Sequence, residues 1–286
     1  MKDYTIFADS ACDLNRFDSA KRNIKSIPLT LRFDGSCKQY NDGELNAEVF
    51  YHRLRSGETA KTSAVNAQAF ENEFKKELAI GRDILYIGLS SALSGTYSSA
   101  DVAARKLRKK FPENKIITID SLSASAGIAL LIDLVLKKKA EGATIEEAKD
   151  FVERTKLNIC HLFTIDDAAF LVKSGRVKPS KAFLGNMLGI KPILKVDESG
   201  KLVATGRVRG RHQAILTLAT KCKNYCNSEL KYAYISHGDC PGDAEILKNT
   251  LEEYNIKTKL ITNVGAVIGA HSGPDTLALF FLGDTR

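Results

Sequence analysis

Short apolar runs rich in β-branched residues alternate with segments of helical periodicity along most of the chain, and this alternation constrains the fold most strongly. Amphipathic segments separate the runs, and one of them begins at the capping box Thr144–Glu147. Such alternation is typical of α/β folds with largely parallel strands. We therefore predict an α/β protein with mostly parallel sheets and strands at residues 4–10, 84–90, 115–121, 160–166, 231–237 and 258–264.

Two stretches interrupt the alternation and indicate how the chain is divided. Residues 26–45 have the pattern of a small insert, and residues 191–208 that of a β-hairpin. The hairpin pattern occurs only in the second half, so the halves are not copies of one unit. A chain of 286 residues can form two domains with separate cores. We predict an N-terminal α/β domain over 1–160, which includes the insert, and a C-terminal α/β domain over 161–286, which includes the hairpin.

The charge and the cysteines limit the classes of partner and cofactor. The chain has 42 Lys and Arg against 34 Asp and Glu, and the formal charge of +8 favours anionic partners. Aromatic residues are sparse, Trp is absent and no nucleic-acid-binding motif is present, so we expect no nucleic acid partner.

The six cysteines lack the compact spacing of a zinc site. We expect reduced thiols, no metal and no cofactor.

The hydropathy pattern bears on cellular location. Residues 1–10 lack the pattern of a signal peptide and are instead predicted to include a strand. The longest apolar helical segment, residues 123–139, contains Asp133 and is too short to span a bilayer. We therefore expect a cytoplasmic protein.

The stretch LSSALSGTYSSA, residues 89–100, surrounds Gly95 with hydroxyl side chains directly after a predicted strand. Ligands of open parallel sheets bind at the carboxyl ends of strands, and the free N–H groups of a helix start favour an anion. Ser94 is a candidate N-cap of the next helix. The stretch has neither the lysine and glycine spacing of a P-loop nor the G-x-S-x-G of a nucleophile elbow. A helix cap and an anion site both remain open.

A second hydroxyl cluster consists of Thr62 and Ser63. It precedes Asn66, a candidate N-cap of the following helix. Taken alone, this cluster is better explained by capping than by ligand binding.

A histidine among glycines follows the last of the predicted strands. His271 lies in a stretch with Gly265, Gly269 and Gly273, residues that allow close approach of the backbone to another group. Such a histidine is either structural or part of a binding site.

These motifs together resemble the DegV family of bacterial fatty-acid-binding proteins. The resemblance covers nearly the whole chain, and the L-S-G-T-Y and H-x-G-P elements are its most specific parts. The matching segments are FADSACDL (7–14), KTSAVN (61–66), SSALSGTYSSA (90–100), FLVKSGRV (170–177) and GAHSGPDTLAL (269–279).

The resemblance implies two α/β domains with a long-chain fatty acid, such as palmitate, in a tunnel at their interface. It implies that the T-S element, here Thr62 and Ser63, and the serine and glycine of L-S-G-T-Y, here Ser94 and Gly95, hold the carboxylate. The histidine of H-x-G-P, here His271, is implied to lie close by. Proteins of this kind present the carboxylate to a separate kinase subunit and perform no chemistry themselves.

Two departures from the family pattern stand near these motifs. Residues 64–66 replace a common glutamine, proline and serine, and Asp275 replaces a common glycine. Thr62, Ser94 and His271 are retained, so the expected head-group site is kept. Chain-length preference and kinase docking are the properties that the departures affect.

Burial of the tail is expected to dominate affinity for such a ligand. A chain of about sixteen carbons gains on the order of 10 kcal/mol on leaving water, at ~0.8 kcal/mol per methylene. Apolar stretches such as residues 182–194 are candidate walls for the tail, although each such residue can equally be ordinary core.

A basic segment is a candidate docking surface. Arg207, Arg209 and Arg211 alternate along a predicted strand-to-helix stretch, and Arg176 lies in the K-S-G-R-V element. The segment is either a solvated edge or a surface that meets an acidic kinase face or, transiently, an anionic membrane.

The alternative from another class is a serine hydrolase. Ser94 would be the nucleophile, His271 the base, and Asp9 or Asp120 the residue that orients the histidine. The missing nucleophile elbow and the helix-start position of Ser94 argue against it. A nucleotide-binding module is less favoured, because no phosphate-binding glycine fingerprint is present.

Overall fold

The computed structural model of the chain describes residues 2–178, 189–284 and 286. Helices and strands alternate through most of these ranges. The helices within them are α1 (Arg16–Lys21), α2 (Ala47–Arg55), α3 (Ala67–Ala79), α4 (Thr96–Arg108), α5 (Ala126–Ala140), α6 (Ile145–Thr155), α7 (Ala169–Lys173), α8 (Arg211–Tyr225), α9 (Pro241–Glu253) and α10 (Ala266–Ser272).

The strands include all six that the sequence predicts, together with several that it does not. Within the described ranges they are β1 (Tyr4–Asp9), β2 (Lys25–Ile27), β3 (Thr30–Phe33), β4 (Gln39–Asn41), β5 (Ala60–Ser63), β6 (Asp83–Gly88), β7 (Ile116–Asp120), β8 (Ile159–Thr164), β9 (Ile190–Val196), β10 (Leu202–Arg209), β11 (Tyr232–His237), β12 (Lys257–Asn263) and β13 (Leu277–Leu282).

The strands form three sheets, and the predicted α/β class is confirmed. The first sheet has the order β2-β1-β6-β7, and all its strands are parallel. The second sheet has the order β10-β9-β8-β13-β11-β12. The third is the small antiparallel sheet β4-β3-β5.

The prediction of mostly parallel strands holds for the first sheet and is wrong for the other two. In the second sheet only the β11–β12 pair is parallel. One reason is β13, which inserts between β8 and β11 and runs antiparallel to both. The other is the hairpin of β9 and β10, whose strands join the edge of the sheet at β8. The hairpin itself agrees with the prediction for residues 191–208, but strand–helix alternation reveals neither the strand that the hairpin joins nor the insertion of β13.

The apolar helix α5 packs against strands of both large sheets. It contacts β6 of the first sheet and β8, β11 and β13 of the second. Residues 126–132 are all buried, which explains why the first two turns of the helix are apolar on every side. Gly127 allows the closest approach, because a Cβ there would lie 2.3 Å from Nε2 of His161. Among the described residues, no helix combines the length and apolar content needed to cross a bilayer.

Two helix starts follow the expected capping chemistry. The Asn66 side chain accepts the N–H of Ala69 at the start of α3. At α6, the Thr144 hydroxyl accepts the N–H of Glu147, and the Glu147 carboxylate accepts the N–H of Thr144. The predicted capping box is therefore confirmed.

The two large sheets use separate parts of the chain. The first sheet lies within residues 4–120 and the second within 159–282. Of the residues in the predicted insert, β2 joins the first sheet, whereas β3 and β4 belong to the third. The division into domains at residue 160 stays a prediction.

Candidate functional site

A cavity of about 200 Å³ is lined by strands of the second sheet, by β5 of the third sheet and by the segments that follow strands of the first sheet. Its wall is mainly apolar. Representative apolar residues are Leu29, Leu89 and Leu93 from the first half of the chain, and Phe163, Val267 and Phe280 from the second. The loop after β6 is one wall, as expected for a ligand site at the carboxyl end of a parallel strand.

Four of the five predicted head-group residues line this cavity, and two of them are in direct contact. Thr62, Ser94, Gly95 and His271 are all part of its wall. Thr62 lies on β5, and its Oγ1 is 2.7 Å from Nε2 of His271. The fold thus joins residues 209 positions apart in the sequence. Ser63 is exposed and is not part of the wall.

The loop that carries Ser94 differs in detail from the prediction. The N-cap of α4 is Gly95, without a side-chain capping bond, so the assignment of Ser94 as N-cap is wrong by one residue. The Ser94 hydroxyl instead accepts the N–H of Thr96 at 3.2 Å and lies 2.9 Å from the Thr96 hydroxyl. Thr96 is fully buried and therefore holds Ser94 at the wall of the cavity.

His271 lies on a short helix rather than in a glycine-rich loop. α10 packs closely on α2, because a Cβ at Gly269 would lie 2.5 Å from Oη of Tyr51. Gly273 ends the helix at φ 81, in the left-handed region that favours glycine. The expected close approach of the backbone is therefore present, but it is an approach of one helix to another.

Burial and a neighbouring cation both favour the neutral form of His271. Desolvation is the larger cause and the charge of Arg176 the second, and together they lower the pKa of His271 to about 4. Nδ1 of the ring is buried and has no hydrogen-bond partner among the described residues. At neutral pH the imidazole is therefore uncharged and carries a single N–H.

Replacing Arg176 tests this electrostatic description. We expect Arg176→Gln to raise the pKa of His271 while leaving it below the ordinary value, because burial remains. The measurement is an NMR titration of the imidazole in ligand-free protein. Arg207→Gln is the control, since Arg207 is exposed and lies outside the cavity wall. An unchanged His271 pKa in Arg176→Gln would contradict the assigned cause.

An outer groove of about 710 Å³ adjoins the polar end of the cavity. Thr62, Arg176 and His271 line both the groove and the cavity. Lys61 and Lys173 also line the groove. A group bound between Thr62 and His271 would therefore be reachable from the groove.

The four arginines of the predicted basic surface lie in different surroundings in the structure. Arg176 lines the cavity, whereas Arg207 and Arg209 are exposed on β10. Arg211 begins α8 and forms an ion pair with Asp243 at 2.7 Å. Of the predicted tail-lining stretch 182–194, residues 182–188 lie outside the described residues.

The hydrogen bonds of the described residues do not form a hydrolase triad. His271 bonds Thr62 rather than Ser94. Asp9 accepts the Tyr86 hydroxyl and the N–H of Leu89, and Asp120 accepts the N–H groups of Ser91 and Leu122. Neither carboxylate orients the histidine, as a triad requires.

Comparison with known proteins identifies the family. The DegV family model matches residues 3–284. The chain belongs to the DegV family. A DegV domain-containing protein of Clostridium perfringens is 37% identical over 289 residues, which cover 100% of this chain and 99% of that protein. The resemblance drawn from the sequence motifs is confirmed.

Two solved structures of Thermotoga maritima proteins share the fold of this chain. One is a DegV lipid-binding protein, 29% identical, with a TM-score of 0.86 and coverage of 100% of both chains. The other is described as revealing a fatty acid binding function; it is 27% identical, with a TM-score of 0.85, and covers 99% of this chain and 100% of that one.

Several polar residues of the cavity wall were not predicted to be there. Ser125 and Thr276 line it, and Arg176 was assigned to a docking surface instead. Ser125 follows β7 just as Ser94 follows β6, so the position at a strand's carboxyl end was a usable signal. The sequence gives no comparable signal for Arg176.

Proposed function

We propose that this DegV protein binds a long-chain fatty acid, with the tail in the apolar cavity and the carboxylate at Thr62, Ser94, Gly95 and His271. The observation that carries the proposal is the contact of Thr62 with His271 at the polar end of a mainly apolar cavity. The lipid and fatty acid binding of the two Thermotoga maritima relatives supports it.

The head-group residues can donate hydrogen bonds to a carboxylate. When Nε2 of His271 carries the proton, it donates to Oγ1 of Thr62, and the Thr62 hydroxyl proton is free to donate to the ligand. The Ser94 hydroxyl likewise accepts the N–H of Thr96 and can donate its own proton. These donors satisfy a carboxylate that would be costly to bury alone.

Arg176 adds positive charge at the same end. It lines both the cavity and the groove, and it forms no ion pair with an acidic side chain among the described residues. Its Nη1 donates to the carbonyl of Ser174 at 2.6 Å. A bound carboxylate would be stabilised by this nearby positive charge.

We propose further that the bound carboxylate is presented to a separate kinase subunit, which forms the acyl phosphate, and that the DegV protein itself is not an enzyme. The outer groove gives a route to the head group, and the exposed Arg207 and Arg209 suit an acidic face of the kinase. The alternative role of Arg207 and Arg209 is to contact an anionic membrane during ligand exchange.

The ligand part of the proposal is tested by titrating the delipidated protein with palmitate in a calorimeter. Saturable binding of one palmitate per chain is expected. No heat of binding and no displacement of a fluorescent fatty acid would contradict it.

The docking part is tested by Arg209→Glu. The palmitate-loaded variant is mixed with ATP and the fatty acid kinase subunit from the same genome, and palmitoyl phosphate is measured. We expect the rate at limiting kinase to fall about tenfold, because reversing a charge at an electrostatically steered interface slows association by about that factor or more. Arg154→Glu, an exposed arginine on α6, is the control. An unchanged rate, with weaker binding to vesicles containing anionic lipid, would assign the surface to the membrane instead.

A further inference from the structure

Two carboxyl groups from the first half of the chain, those of the buried Asp13 and the half-buried Asp42, accept hydrogen bonds at the start of the helix that carries His271. Asp13 Oδ1 accepts the N–H of Gly265 at 2.9 Å. Asp42 Oδ1 accepts the N–H of Val267 at 3.3 Å. A Cβ added to Gly265 would lie 3.0 Å from Asp13 and 3.3 Å from both Asp42 oxygens, so the two carboxyl groups flank the same backbone position.

Asp13 also ties this region to the wall of the cavity. Its other carboxyl oxygen contacts the hydroxyl of Ser125, a cavity residue, and Ser125 lies 3.1 Å from the hydroxyl of Ser236. The carbonyl of Asp13 accepts the Thr262 hydroxyl at 3.1 Å. Asp13 itself has φ 55, an uncommon conformation for a residue other than glycine. The surrounding contacts therefore fix it in place.

The pair lies in surroundings without a compensating cation. Within the described part of the chain neither carboxyl group forms an ion pair, and the other ionisable groups that act on them are Asp9, Cys12 and Tyr51. Burial is the main reason why the pKa of Asp13 is raised to about 8 and the pKa of Asp42 to about 6. The charge of a neighbouring carboxyl group raises each pKa further. Ionising both carboxyl groups would be costly in free energy, because they are close together and no cation compensates their charges.

α10 connects this pair to the ligand site. Val264 precedes the first of these N–H groups and Val267 bears the second; both residues line the cavity, and His271 lies at the other end of the same helix. We propose that Asp13 and Asp42 are positioning residues of the ligand site, which fix the start of α10 and thereby place the His271 imidazole beside Thr62. This inference rests on the proposed fatty acid site.

The test compares two replacements of Asp42. Asp42→Asn keeps an oxygen acceptor for the N–H of Val267, whereas Asp42→Ala leaves that N–H without one. Two properties are measured: palmitate affinity, and the imidazole NMR signals of His271 in ligand-free protein. We expect Asp42→Ala to weaken palmitate binding about tenfold and to move the His271 signals, and Asp42→Asn to restore both to near wild type.

The control separates positioning from general loss of stability. Asp83 is another buried carboxylate, and it accepts the N–H of Lys115 at 2.9 Å at the opposite end of the first sheet. Asp83→Ala is expected to lower the melting temperature without moving the His271 signals. If Asp42→Ala does not fold, Asp13→Asn and Asp13→Ser are compared instead. These variants change the acceptor of the Gly265 N–H, and the same two properties are measured.

The outcomes distinguish this inference from the proposed function. Wild-type protein that binds no palmitate contradicts the fatty acid site, and the His271 signals of the ligand-free variants then still report on positioning. Folded Asp42→Ala with wild-type palmitate affinity and unmoved His271 signals would overturn the positioning role.

Discussion

The double variant Thr62→Ala/Ser94→Ala is expected to lose palmitate affinity by about a hundredfold or more. Each hydroxyl is proposed to donate to the carboxylate, and a hydrogen bond to a charged group contributes about 1.5–3 kcal/mol, which is roughly ten- to 150-fold per bond. The tail contacts are unchanged, so the loss reports the head group alone. Isothermal titration of delipidated protein with palmitate measures it.

A matched control uses serines of the same hydroxyl-rich stretch. Ser91 and Ser98 are exposed and do not line the cavity. Ser91→Ala/Ser98→Ala removes the same number of hydroxyl groups and is expected to bind palmitate within about twofold of wild type. Equal affinities for the two double variants would contradict the assignment of the carboxylate to Thr62 and Ser94.

The free energy of unfolding is expected to fall as pH rises from 6.5 to 8, and Asp13→Asn is expected to remove most of that fall. Burial raises the pKa of Asp13 from 3.8 to about 8 in the folded chain. Between these values the folded state holds a proton that the unfolded state has lost, so stability decreases with rising pH. The contribution from Asp13 is about 1.5 kcal/mol over this interval by the same linkage.

Urea unfolding at several pH values provides the measurement, and Asp34→Asn provides the control. Asp34 is exposed, and bonds from Thr59 and Lys61 lower its pKa, so it is already charged in both states over this interval. Its variant is expected to keep the wild-type slope. An Asp13→Asn protein with the full wild-type decrease would show that another group carries the proton.

Local patterns in the sequence were enough to predict most elements of the fold, because each depends on neighbouring residues. The capping box at Thr144 and the N-cap Asn66 are examples. The order of the second sheet depends on β13, an apolar run whose neighbours β8 and β11 lie far away in the sequence. No local pattern specifies which strands it joins or in which direction.

The candidate site shows the same limit. The contact between Thr62 and His271 was expected only from the family resemblance, since hydroxyl groups and glycines at strand ends are also explained by capping. Residue type alone groups Arg176 with Arg207, Arg209 and Arg211 in a basic docking surface. Its place in the cavity wall is a consequence of how the segment after α7 meets β5 and α10.

The most direct test of the proposed fatty acid site is denaturing extraction of the purified protein, followed by mass spectrometry of any lipid released. We expect close to one long-chain fatty acid per chain from wild type, and much less from Thr62→Ala/Ser94→Ala prepared in parallel. Lipid-free wild-type protein that also fails to take up added palmitate would contradict it.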